Sequence, residues 1–123
     1  MDSILTSVKK KLGIMEDYEH FDDGDIIDHI NTAFFILNQL GVGPDEPFTI
    51  EDDTAEWSDF KEDGSLEAVR SYVAYQVKLS FDPPSSSHLV ENINQKIREL
   101  EFRLLVEAER DKLPEADMSG VYV

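Results

Sequence analysis

The side chains in this sequence that could carry chemistry are mostly carboxylates, joined by three histidines and no cysteine. Without thiols there is no disulfide frame, no thiolate nucleophile and no Cys-ligated zinc site. His20, His29 and His88 are too scattered to make a metal motif. Asp25 and His29 stand four residues apart, so a helix would put them on one face. That is the one geometric hint of a ligand pair, and an ordinary surface contact explains it more simply. The stretches "DDGD" (22–25) and "EDDTAEWSDFKEDG" (51–64) resemble calcium loops in composition only. Neither sets oxygen ligands at positions 1, 3 and 5, a glycine at 6 and a glutamate at 12. The lone "GVG" at 41–43 follows a helical stretch, where a C-cap accounts for it better than a phosphate loop between strand and helix. No serine is marked by a base and an orienting acid. Carboxylate pairs are too plentiful to be diagnostic, and their polar surroundings give no reason for tuned acid–base chemistry. The expectation is a protein with no cofactor and no metal, and not an enzyme.

Charge narrows the field further. The 123 residues include 27 acids against 11 Lys and Arg, a net charge of −16. Phosphate neutralisation supplies most nucleic-acid affinity, so ordinary DNA or RNA binding is disfavoured. The single basic run, Lys9-Lys10-Lys11, falls at the end of an expected helix, where it complements the helix dipole. A hydrophobic content of 41% fits a folded domain and not a disordered chain. No apolar run approaches the roughly 20 residues of a membrane span, and no secretory segment opens the chain. A soluble protein without a membrane partner, made in a reducing cytoplasm, is expected.

Elements that could position these residues are helical. A helix is expected over Ser3–Leu12, capped by Asp2 or Ser3 and stopped by Gly13, with Ile4, Leu5, Val8 and Leu12 on one stripe. Asp23 or Asp25 can cap a second helix over Ile26–Leu40, ended by "GVGP". Its face of Ile26, Ile30, Ala33, Leu37 and Leu40 is widened by Ile27, Phe34, Phe35 and Ile36, more than one stripe needs. Ser65 can cap a third helix with Leu66, Val69, Val73 and Val77 inward and Tyr72, Tyr75 and Leu79 flanking, ended by Pro83-Pro84. Ser85 to Ser87 offer caps for a fourth, from near His88 to Arg110, carrying the stripe Leu89, Ile93, Ile97, Leu100, Leu104. The fold class is therefore all-α, a small bundle of about four helices over residues 1–110 with a tail at 111–123.

Between the second and third helices lies a long acidic loop. From Pro44 to Asp63 it holds nine Asp/Glu and one Lys. Loops beyond about 12–15 residues without structure of their own are uncommon in compact domains. Phe48-Thr49-Ile50 could pair as a strand in a short hairpin reaching toward Trp57, and "TAEWSDF" could make one helical turn. Trp57 and Phe60 must either fold back on their own domain or meet a partner, as interface aromatics do.

Five pieces in order carry a resemblance: "VKKKLGI", "FDDGDIIDHINTAFFILNQLGVGP", "WSDF", "LEAVRSYVAYQVKLSFDPPSS" and "LVENINQKIRELEFRL". Spanning most of residues 4–104, they resemble the head–tail connector (adaptor) family of tailed phages, in the version common in siphophages of Gram-positive hosts. The resemblance implies a structural virion protein at the head–tail interface. Such proteins form a ring under the portal, often dodecameric, that extends the DNA channel and offers a platform to the next head-completion or tail protein. It carries no catalytic residue. In that setting the expected subunit or portal contacts are Trp57, Phe60, Phe35, Ile36, Val121, Tyr122 and Val123. Glu51, Asp52, Asp53 and Glu56 would line the channel or face a neighbour, letting DNA pass without being gripped. The tail ending in Val121-Tyr122-Val123 either frays, as chain ends do, or adds a strand to a partner's sheet edge. The alternative is an acidic regulatory or inhibitory module for a basic host or phage protein, which predicts a monomer whose binding falls steeply with salt.

Overall fold

Helices are the regular elements among the described residues, and several of them begin or end at residues whose chemistry explains it. The computed structural model describes residues 3–13, 23–61, 65–81 and 83–111. Five helices run in the order α1 (Ile4–Lys11), α2 (Asp23–Gln39), α3 (Trp57–Phe60), α4 (Leu66–Phe81) and α5 (Ser87–Asp111). The hydroxyl of Ser3 accepts from the Thr6 N–H at 3.2 Å, capping α1. Gly13 follows with φ +81°, the left-handed conformation that ends helices at little cost to glycine. At the end of α2 the N–H of Val42 reaches back to Leu37 O at 2.9 Å and that of Gly41 to Asn38 O at 3.0 Å. Gly41 takes φ +85°, so this is a Schellman turn. "GVG" is thus a helix stop. Ser86 serves α5, its hydroxyl accepting from Leu89 N–H at 3.4 Å and its carbonyl from Val90 N–H at 3.1 Å.

Helix α4 is the hub, packing on α1, α2 and α5, with α1 also against α2. Its Val69, Tyr72, Val73 and Val77 are fully buried, facing Ile26, Ile30, Phe34 and Leu37 of α2 and Ile4 and Val8 of α1 in one continuous core. Helix α5, about 37 Å long at 1.5 Å per residue, closes the bundle through Ile97, Leu104 and Ala108.

The small all-α bundle is as expected, and the single helical turn expected within "TAEWSDF" forms at Trp57–Phe60, making five helices among the described residues. Other expectations are corrected. Residues 48–50 form no strand, and among the described residues the sole β-type pairing is an isolated antiparallel bridge between Ser3 and Glu56. Leu89 is not core but 51% exposed, whereas Tyr72, expected to flank the core, is buried in it. Helix α2 also starts earlier than expected, so Asp25 lies inside its first turn and does not cap it.

Candidate functional site

The acidic loop is not a free strap. It runs back along α2 and is fastened there by two asparagines seven residues apart, hence on one face and about 10 Å from each other along the axis. Asn38 donates from Nδ2 to the carbonyls of Pro44 (3.4 Å) and Asp45 (3.2 Å). Asn31 accepts the Ile50 N–H at 2.8 Å and donates to the Ile50 carbonyl at 3.1 Å. The side-chain amide of Asn31 thus supplies the two bonds that a neighbouring strand would have given, and no strand is needed. Further on, the Ile4 N–H donates to Ala55 O at 2.9 Å, tying the loop's end to the start of α1. The Asp59 carboxylate accepts the Glu56 N–H at 2.9 Å and closes the turn into α3.

The loop's aromatics point inward. Trp57 is 2% and Phe60 5% exposed. Phe34 of α2 sits at the centre of their cluster, with ring centroids 5.0 Å from Phe48, 4.8 Å from Phe60 and 6.2 Å from Trp57. The indole N–H of Trp57 donates to Ser7 Oγ at 3.2 Å, and the Arg70 guanidinium lies 5.6 Å from the ring centroid. Within one chain, then, both aromatics serve the chain's own core and are not displayed for a neighbour.

The remaining residues expected at contacts divide in three. Phe35 is half-exposed on the outer side of α2, and Ile36 is partly buried against the core. Glu51, Asp52 and Asp53 are exposed and Glu56 is half-buried. Asp52 accepts both the Thr54 hydroxyl at 2.6 Å and the Thr54 N–H at 3.0 Å, and these bonds hold its carboxyl below the usual range. Val121, Tyr122 and Val123 lie outside the described residues. Sequence reasoning missed a further pair on α5, Phe102 at 67% and Val106 at 38% exposure. Four residues apart, they share one helix face, and that spacing was the available signal.

The other candidate residues stand apart from the loop. Among the described residues no three His, Cys, Asp or Glu side chains gather as a metal would need. Asp25 and His29 share a helix, but the His29 ring is set edge-on to Phe81 with centroids 6.3 Å apart. His20 lies outside the described residues, and His88 is exposed at the start of α5. The Tyr72 hydroxyl donates to Glu101 Oε2 at 2.7 Å and accepts from Gln76 Nε2 at 2.8 Å, a polar link between α4 and α5 within the core. Burial, and then the Glu101 carboxylate, raise the pKa of that hydroxyl well above the ordinary tyrosine range. No helix of the described residues is long and apolar enough to cross a membrane.

Among the described residues the large apolar side chains left exposed are Phe35 on α2 and Leu89, Phe102 and Val106 on α5. Residues 4–111 match the model of the phage connector protein family, and the chain belongs to that family. The match takes in every helix described above. It makes the chain a structural component of a phage particle, of the head–tail connector kind. Comparison with curated proteins and with solved structures finds no match.

Proposed function

We propose that this protein assembles as a ring beneath the portal, extends the DNA channel and gives the next head-completion or tail protein its seat. What carries the reading is the family match over residues 4–111, taken with large apolar side chains left exposed on different helices. A closed ring needs head-to-tail contacts, hence two unlike faces on each subunit. Phe35 lies on the outer side of α2, and Phe102 with Val106 on α5 away from the core. In this reading Phe35 would face a neighbouring subunit and the α5 pair would meet the portal. The net charge of −16 supports a channel through which DNA slides without being held.

The test is mass in solution, alone and mixed with the portal protein of the same phage. The ring reading expects weak self-association alone and a stable multimer on the portal. A strict monomer that ignores the portal and instead binds basic proteins in low salt would replace it with the regulatory-module reading.

A further inference from the structure

The C-terminal half of α5 turns two apolar side chains away from the bundle that it helps to close. Leu104 and Ala108 are buried, yet Phe102 is 67% and Val106 38% exposed. Beside them, α5 and the first turn of α4 leave a groove of about 360 Å³. Ala68, Phe102, Leu104 and Val106 give it a mostly apolar lining, and Arg103 and Arg110 stand along it. Apolar surface of this kind gains about 25 cal/mol for each Å² that an occupant takes from water.

A segment of suitable chemistry starts at the groove's own end. Helix α5 finishes at Asp111, the residue after Arg110. The sequence goes on with "KLPEADMSGVYV", residues 112–123. Pro114 does not continue a helix, and Gly120 allows a change of direction. Phe102 lies nine residues before Asp111, about 13.5 Å back along the helix. The nine residues 112–120 span up to about 30 Å when extended, so Val121, Tyr122 and Val123 reach Phe102 and Val106 of their own chain with length to spare. A segment tethered so close acts at an effective concentration of about millimolar, which makes a modest contact sufficient. The order of side chains also matches. Glu115 and Asp117 come before the apolar end, where Arg103 and Arg110 flank the path. These two guanidiniums lie 3.5 and 3.6 Å from Glu99 and Glu107 in exposed pairs, which are worth little, and a fork of five donors has room for a second carboxylate.

We propose that Val121-Tyr122-Val123 occupies the groove beside Phe102 and Val106 of the same chain. This places the three residues on their own domain instead of on a partner's sheet edge. The contact is independent of the ring reading. Within that reading the segment is a cover that the portal must displace before it meets α5.

The sequence has no cysteine, so a single engineered thiol carries a probe without background. A nitroxide is attached to full-length, isotope-labelled Ser119→Cys, and amide signals are compared with the nitroxide oxidised and reduced. The signals of Ala68 and Phe102 should be attenuated by at least half. Adding Val121→Asp and Tyr122→Asp should restore the Ala68 signal, while that of Glu109, next to the tether, stays attenuated. No attenuation at Ala68, or attenuation that survives the two substitutions, would overturn the proposal. Nitroxide-bearing chains without isotope are also mixed with isotope-labelled chains without nitroxide. Equal attenuation at Ala68 in that mixture would assign the segment to a second copy and overturn the contact within one chain. A dye that fluoresces on apolar surface gives a second reading. Its signal should at least double in the Val121→Asp, Tyr122→Asp protein, and Phe102→Asp should remove the increment. An unchanged dye signal would overturn the cover. Helical content and melting equal to those of the parent verify each variant's fold. None of these readouts involves the portal, so their failure leaves the ring reading standing, and a chain that forms no multimer on the portal leaves this contact standing.

Discussion

The side chain of Asn31 makes both hydrogen bonds of a strand partner to the backbone of Ile50, at 2.8 and 3.1 Å, nineteen residues along the chain. Ile50 is itself 3% exposed, so its N–H and C=O have no easy recourse to water. Asn31→Ala should destabilise the fold by about 1–3 kcal/mol, the range for leaving buried polar groups unpaired. Chemical denaturation would measure it, and hydrogen exchange at the Ile50 amide should accelerate more than exchange in α4.

Gly43 and Gly13 separate two reasons for glycine. Both take positive φ, +89° and +81°. A Cβ at Gly43 would stand 2.4 Å from Cε1 and Cζ of Phe60, while at Gly13 it would meet nothing within 4 Å. Gly13→Ala should therefore cost only the left-handed conformation, about 1–2 kcal/mol. Gly43→Ala should add overpacking of about 1–3 kcal/mol, because Phe60 is wedged among Phe34 and Phe48 and cannot swing aside. Equal melting losses for the two variants would mean that Phe60 yields more readily than its packing implies.

Helix punctuation was legible in the sequence because caps and stops are local chemistry: Ser3, Gly13, Gly41 and Ser86 serve as their residue types suggest. The core of α4 was legible at Val69, Val73 and Val77 but not at Tyr72, whose polar end is satisfied by Glu101, twenty-nine residues away. The stripe on α5 misled at Leu89 for a geometric reason. Each four-residue step overshoots a 3.6-residue turn by about 40°, so two steps from Ile97 back to Leu89 rotate it off the core face. Trp57 and Phe60 were ambiguous because an aromatic pair looks the same in sequence whether it serves a core or a partner. Their burial depends on Phe34 and Phe48 and on the two asparagines of α2, whose spacing of seven was not read as a loop fastening.

That rotation yields a paired test on α5. Ile97→Asp should unfold the domain, since it would place an unpaired charge at a site 6% exposed. Leu89→Asp, at a site 51% exposed, should stay within about 0.5 kcal/mol of the parent. Thermal melting followed by circular dichroism distinguishes them, and a large loss at Leu89 would put that residue back in the core.

Tyr72 predicts a weakness at alkaline pH. Its pKa is raised in the folded chain above the ordinary value of 10.0, by burial first and by Glu101 next, with Gln76 opposing. The folded state thus keeps a proton that the unfolded chain releases. Its contribution to stability is whole below about pH 10 and declines as pH climbs beyond it, because unfolding then releases a proton. Tyr72→Phe should lower stability at neutral pH, where the bonds to Glu101 and Gln76 are lost, and should flatten the decline above pH 10. Denaturant midpoints at pH 8, 10 and 11 give the comparison. An unchanged slope in the variant would assign the alkaline loss to other groups.

Trp57 and Phe102 should divide stability from assembly. Trp57 is 2% exposed, bonded to Ser7 and packed near Phe34, so Trp57→Ala should cost about 3–5 kcal/mol in folding, as large aromatic truncations do. Any assembly defect in that variant would then follow from the loss of fold. Phe102 is 67% exposed on the outer face of α5, and Phe102→Asp should leave melting within about 0.5 kcal/mol of the parent. In the connector reading the same change should weaken docking to the portal at least tenfold, since a carboxylate would have to be desolvated where a ring had been buried. Portal docking that survives Phe102→Asp at full strength would move the portal contact away from α5 and make Phe35 on α2 the next residue to change.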